Sequence, residues 1–198
     1  MSASDRQRWN EKYARRPAAT ICEADEWLIV AHDTIAQTTP DVTTAGRALD
    51  LACGLGHNSI WLAQNGWHVD GVDISAEGLN QAEHLATATD TVVNWIEADL
   101  DDWQPKPESY DLAVVFRFLD RATVPRIVNT GLKPGGWLIY ETFAASELDR
   151  PHSHIRNPAF TLSPGELRRL FADFEIVNFR EETLEDRNVQ RLLARRRW

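Results

Sequence analysis

The sequence predicts an α/β fold. It is a doubly wound, mostly parallel seven-stranded sheet with an antiparallel last strand, entered through an N-terminal helical cap. Three observations lead there. Short apolar runs of strand length alternate with stretches at helical spacing from residue 46 onward. Residues 48–75, ALDLACGLGHNSIWLAQNGWHVDGVDIS, read as a strand, a turn almost bare of side chains, a helix, and a second strand with an acid at its tip. The 198 residues suit one domain with a core of its own, divided into a cap (1–45) and an α/β core (46–198).

Taken in order, residues 4–15 predict a helix begun by Ser4 and stopped by Pro17, with Trp9 and Tyr13 four apart on one face. Residues 24–37 predict a second helix, with Trp27, Leu28, Ala31 and Ile35 on one stripe. Residues 48–53 form the first strand, and Gly54-Leu55-Gly56 the turn. Residues 58–64 are helical through Ile60 and Ala63, and Asn65-Gly66 is a helix stop. The second strand is 68–74. Leu79, Ala82, Leu85 and Ala86 make 76–88 a helix, and 92–98 is the third strand. Pro105 and Pro107 mark a loop. Residues 110–118 are nearly all apolar, which suits a strand buried on both faces. A short helix over 123–130 turns Val124, Ile127 and Val128 inward. LKPGG (132–136) reads as a turn before the fifth strand, 137–143. Ser163-Pro164-Gly165-Glu166 is a capping box with proline at the first helical position, opening a helix through Leu167, Leu170 and Phe171. Residues 174–179 and 189–194 are the last two strands, and their short charged connection predicts an antiparallel pair.

The glycine turn carries the functional reading. Without side chains, its backbone N–H groups can reach a polar ligand, and the helix start behind it favours negative charge. An acid at the next strand tip, Asp73, can accept both ribose hydroxyls of a nucleoside. In doubly wound sheets ligands sit at the carboxyl ends of the strands, where Gly54, Asp73, Asp99 and Phe116 fall. Ser59 stands where a dinucleotide fingerprint has its third glycine, and no Lys-Ser/Thr pair follows the turn. Both facts argue against NAD and ATP.

Composition bounds the rest. A formal charge of −9 makes the chain a poor partner for nucleic acid or anionic membrane. The two cysteines, Cys22 and Cys53, give neither a disulfide framework nor metal spacing, and Cys53 reads as a packing choice in the turn. His152-x-His154 lacks a third ligand, so no metal site is assigned. Arg195-Arg196-Arg197 reads as a solvated strand end. No apolar window approaches membrane-spanning length and residues 1–20 lack a signal core, which predicts a soluble, cytoplasmic protein.

LDLACGLG (49–56) followed by GVDIS (71–75) resembles motif I and its following acid in the class I S-adenosylmethionine-dependent methyltransferases. YDLAVVFRF and LKPGGWLIYETF are similar to the fourth and fifth strands of that family. RWNEKYA resembles the N-terminal helix that lies across the cofactor in small-molecule methyltransferases; the same spacing also suits a plain amphipathic cover. A closer resemblance, to the tellurite-resistance-type methyltransferases, rests on NSIWLAQNGWHVDGVDIS and on RNPAFTLSPGELRRLFADFEIVNFREE (156–182). Two features depart from it: His57 stands where such relatives carry Arg, and no His-Arg pair precedes the last strand.

The resemblance implies S-adenosylmethionine as cofactor and S-adenosylhomocysteine as product. It places the backbone of Ala52, Cys53, Gly54 and Gly56, with Asn58, at the methionine end, and Asp50 in support of the turn. Asp73 takes the ribose, Ile74 and Leu100 pack on the adenine, Asp99 accepts from its amino group, and Phe116 offers its carbonyl to the cofactor's amine. The other reading of Asp99 is a helix N-cap or turn carboxylate. Methyl transfer from a sulfonium is an in-line displacement in which alignment supplies ~7–11 kcal/mol, so no catalytic side chain and no metal is assigned. The long connection 144–162 holds Arg150, His152, His154, Arg156 and Phe160. With Arg117 it suggests a basic pocket edge, and Arg117, His154 and Arg156 are the substrate-binding candidates for a small molecule. The alternatives are an RNA or protein acceptor, or a cofactor-binding protein without transfer activity.

Overall fold

The structure is a computed structural model and describes residues 3–16, 23–39 and 46–198. Pro17 and Cys22 lie outside the described residues. The seven strands are β1 (Arg47–Leu51), β2 (His68–Asp73), β3 (Asn94–Glu97), β4 (Tyr110–Phe116), β5 (Leu132–Phe143), β6 (Glu175–Thr183) and β7 (Asn188–Arg195), in the spatial order β3-β2-β1-β4-β5-β7-β6. The first five are parallel, and β7 runs antiparallel between β5 and β6. The order reverses at β1, so the crevice opens between the ends of β1 and β4, as expected for a doubly wound sheet.

The helices are α1 (Ala3–Ala14), α2 (Glu26–Thr38), α3 (His57–Gln64), α4 (Ala76–Ala88), α5 (Thr123–Gly131) and α6 (Glu166–Leu170). Alternate strand residues face opposite layers. Leu49, Leu51, Val115, Leu138 and Leu192 pack with Val124 and Ile127 of α5 and Leu167 of α6. Ala48, Leu112, Val114, Ile139 and Leu193 pack on the other side with Trp27, Leu28, Ala31 and Ile35 of α2 and Ile60 and Leu62 of α3. Each such Leu or Ile, fully buried, contributes about 1.5–3 kcal/mol. The stripe read from the sequence of α2 is therefore its buried face.

Several boundaries differ from the sequence reading. The fourth strand stops at Phe116 because Arg117 turns into the left-handed region, φ 54°. LKPGG is not a turn before β5 but its first part. Leu132 pairs with Tyr110, a register shift follows, and Gly135 (φ 77°) absorbs the irregularity. Only half of the capping box forms: Glu166 accepts from the Ser163 amide, but the Ser163 hydroxyl donates to the same carboxylate, and Gly165 (φ 66°) is the cap, so Pro164 lies outside the short α6. The connection 144–162 holds two 3-10 turns, Ala145–Asp149 and Pro158–Phe160. The C-terminal arginines are not merely solvated. Arg195 donates to the Gly135 carbonyl over the Trp137 ring, Arg196 bonds the Leu132 carbonyl, and Arg197 the Asp173 carbonyl.

Candidate active site

The turn after β1 is built from left-handed residues: Ala52 (φ 56°), Gly54 (φ 56°) and Gly56 (φ 71°). The non-glycine Ala52 there costs about 1–2 kcal/mol, strain of the kind that collects at ligand sites. The Cys53 amide donates to Val72 O (3.1 Å), tying the turn to β2, and Gly56 caps α3. A Cβ on Gly56 would collide with the Trp95 ring and lie 2.9 Å from the Ala82 methyl; one on Gly71 would meet the same ring at 2.8 Å. Trp95 thus rests on two glycines, one from the turn and one from β2. The departure at the third fingerprint position has a local reason. Ser59 is fully buried and its hydroxyl donates to Asp50 at 2.6 Å.

The turn and the strand-tip acid meet directly. Gly54 N–H donates to Asp73 Oδ2 and Ser75 N–H to Oδ1, both at 2.8 Å. Burial pushes the Asp73 carboxyl up, and the backbone N–H groups of Ser75, Gly54 and Ile74 pull it partly back. Each carboxylate oxygen keeps a further acceptor site. A buried acid held by amides alone, at the mouth of a glycine turn, fits a ligand that brings hydroxyl donors. Ile74 follows it, buried.

Asp50 lies beneath the turn. Burial pushes its carboxyl up to about 7, although the Ser59 hydroxyl favours the charged form. Its folded-state pKa exceeds the unfolded value, so the stability it contributes is complete below about pH 4 and lost as pH rises to about 7. We expect Asp50→Asn to flatten that decline. Urea unfolding at pH 5 and pH 8 checks it: Asp50 should cost the wild type roughly 2–3 kcal/mol across the interval, the variant much less.

The N-terminal helix forms a roof. The Tyr13 hydroxyl lies 2.5 Å from where a Cβ on Gly54 would stand, and its ring 3.0 Å from that of Gly78. Asn10 Oδ1 accepts from the Ser75 hydroxyl (2.6 Å) and the Glu77 amide (3.2 Å), Gln81 donates to Tyr13 O (3.0 Å), and Arg6 pairs with Glu97. A cofactor tail on Gly54 must share that space with Tyr13 or displace it. An open pocket of about 520 Å³ lies apart from the turn, between α2 and the β6–β7 hairpin, lined by Trp27, Arg180 and Arg191 among others.

The remaining candidates scatter around this centre. Asp99 Oδ1 accepts from the Asp101 amide (3.0 Å), so it does act as a turn carboxylate. Leu100 is fully buried in the core, and Phe116 is buried at the end of β4. Asn58 donates to Asp25 Oδ2 and accepts from the Asp25 amide, both at 3.0 Å. Arg117 is ion-paired with Asp25. Burial would raise Asp25, but Arg117, Asn58 and Arg187 outweigh it and hold the carboxyl below its ordinary range. Arg187 continues to the buried Glu141 (3.0 Å), which Arg191 also binds (2.7 Å). His154 is exposed, edge-on to Phe143, and Arg156 is exposed. Arg150 is spent on the carbonyls of Leu184 and Glu185. Sequence reasoning missed Asp25 and Asn10. Asp25 carries the signal of an acid just before a helix; its long-range partners carry none.

Residues 48–136 match the family model described as a methyltransferase domain. Over that stretch the chain is similar to methyltransferase domains. Its curated relatives include hemagglutinin 1 of Eikenella corrodens, 29% identical over 78% of this chain and 52% of that protein. Another is the ubiquinone biosynthesis O-methyltransferase of Paraburkholderia phymatum, 33% identical over 50% of this chain and 45% of that one. The chain thus spans about half the length of these relatives. Among solved structures, the magnesium protoporphyrin IX methyltransferase of Synechocystis, with bound S-adenosylhomocysteine, aligns at TM-score 0.70 with 20% identity, over 98% of each chain. TehB of Haemophilus influenzae aligns at 0.67 with 21% identity, over 96% of this chain and 67% of that one. The chain accordingly has the fold of S-adenosylmethionine-dependent methyltransferases, and the glycine turn with Asp73 fits that cofactor.

Proposed function

We propose that the protein transfers the methyl group of S-adenosylmethionine to a small-molecule acceptor. The observation that carries this reading is the Gly54–Asp73 contact, which joins a bare turn to a buried ribose-seeking acid at one strand edge. The cofactor supplies an electrophilic methyl on a sulfonium whose leaving group is neutral. The protein's part is to bind and align. Asp73 would hold the ribose hydroxyls and the 52–56 backbone the aminoacyl end. Ile74, Asp99 and Leu100 would bound the base, and Phe116 O would face the amine. Asn58 braces the start of α3 through Asp25, and Asp50 braces the turn through Ser59. Arg117, His154 and Arg156 remain the candidates on the acceptor side. A small-molecule acceptor is supported by the charge of −9 and by C-terminal arginines occupied within the fold. Among the described residues no helix is long and apolar enough to cross a membrane, and we place the reaction in the cytoplasm.

The test is release of S-adenosylhomocysteine with separate pools of small metabolites, ribosomal RNA and protein. Turnover is expected with the first pool. Turnover only with RNA or protein would replace the acceptor class, and tight cofactor binding without turnover from any pool would mark a binding protein.

A further inference from the structure

We propose that the acceptor is an anion, carrying a carboxylate or comparable oxyanion group, held over the glycine turn by Lys12, Arg16 and Arg117. This rests on the methyl-transfer reading above and moves the basic site from the 144–162 connection to the roof and the end of β4.

Tyr13 fixes the location. Its hydroxyl lies against Gly54, Lys12 precedes it, and the Arg16 amide donates to the Tyr13 carbonyl (2.9 Å). The two cations therefore leave the end of α1 beside the turn. Arg117 arrives from the other side. It follows β4, which pairs with β1 so that Val115 lies beside Leu51, the last strand residue before the turn. Asp25 holds Arg117 and also binds Asn58, two residues past Gly56. The left-handed backbone at Arg117 (φ 54°) departs from the strand direction at this point.

The charges are poorly compensated. Arg117 has Asp25 and Arg8 has Asp5. Among the described residues neither Lys12 nor Arg16 has an ion-pair partner, and the Lys12 ammonium sits 4.1 Å over the Trp9 ring. The cations act on one another. Lys12 is held below its ordinary range by burial and then by Arg16, Arg8 and Arg117, and His57 by burial and then by Arg117 and Arg16, which outweigh the opposing Asp25. A chain of net charge −9 thus sets three cations about a mouth whose acids are already engaged, Asp25 by Arg117 and Asp73 by the amides of Gly54 and Ser75. Such a mouth concentrates anions. The cofactor does not discharge it, because its one carboxylate is outnumbered by its own ammonium and sulfonium. The balance is left for the second substrate.

Calorimetry on the full chain tests this in two stages. S-adenosylhomocysteine is titrated first; no binding there refutes the methyl-transfer reading and with it the inference. The loaded protein is then titrated at low salt with 3,4-dihydroxybenzoate, 3-mercaptopropionate and inorganic phosphate, and with the amides of the two acids. At least one anion should bind, with affinity at least tenfold above its amide. That preference should fall at least fivefold in Arg117→Met and in the double variant Lys12→Gln/Arg16→Gln, and return in Lys12→Arg/Arg16→Lys. Absence of anion binding to the loaded protein, equal binding of acids and amides, or a preference that both variants keep would overturn the proposal. So would variants that lose only cofactor affinity, since the cations would then serve the cofactor's carboxylate.

Discussion

Asp73→Asn should weaken S-adenosylhomocysteine binding about 100-fold or more, with only a moderate loss of thermal stability. The carboxylate would accept from two ribose hydroxyls, and hydrogen bonds to a charged group are worth roughly 1.5–3 kcal/mol each. Losing the charge on both amounts to about 3–6 kcal/mol, or roughly two to four decades of affinity. The fold should tolerate the change. Burial already opposes the charged form of this carboxyl, and the amide oxygen still accepts from one of Gly54 and Ser75, while leaving the other N–H against the amide nitrogen costs roughly 1–3 kcal/mol. Calorimetry and a melting curve on the same sample separate the two effects. A loss below threefold would remove Asp73 from the cofactor site.

Gly56→Ala should be the costliest single-methyl change in the turn, about 3 kcal/mol or more. The left-handed backbone (φ 71°) costs any L-residue roughly 1–2 kcal/mol, and the new methyl would drive into Trp95 and Ala82, adding the roughly 1–3 kcal/mol of an overpacked core. For a chain of this size that is a fall in Tm of roughly 6–12 °C. Gly54→Ala has the same kind of backbone but meets only the end of the Tyr13 side chain, at 2.5 Å from the hydroxyl and 3.3 Å from the ring carbon that bears it. Its stability loss should be smaller, and Tyr13→Phe should relieve part of it. Equal melting temperatures for Gly56→Ala and wild type would mean that Trp95 does not rest on the turn.

The sequence was informative where function is local in the chain. The strand, bare turn, helix and acid fall within 28 residues, and their spacing alone put Gly54 beside Asp73. The strand sequence and the antiparallel last pair were legible because apolar runs and a short charged turn leave few topologies. Boundaries slipped where a single dihedral decides them. Arg117 ends β4 and Gly165 caps α6, each by a positive φ that residue type alone does not announce. LKPGG looked like a turn because Pro and Gly usually punctuate, yet pairing with Tyr110 keeps it in the sheet. The acceptor side was least legible. Asp25 meets Asn58, Arg117 and Arg187 from three distant parts of the chain. The arginines of the 144–162 connection, which looked available in sequence, divide between structural work at Arg150 and open solvent at Arg156.

A crystal structure with S-adenosylhomocysteine bound addresses the central claim most directly. Both ribose hydroxyls should lie within about 3 Å of the Asp73 carboxylate, with the aminoacyl tail on the backbone of residues 52–56 and Tyr13 moved aside or closed over it. A ligand seated elsewhere, with Tyr13 still packed on Gly54 and Asp73 bonded to nothing but amides, would contradict it.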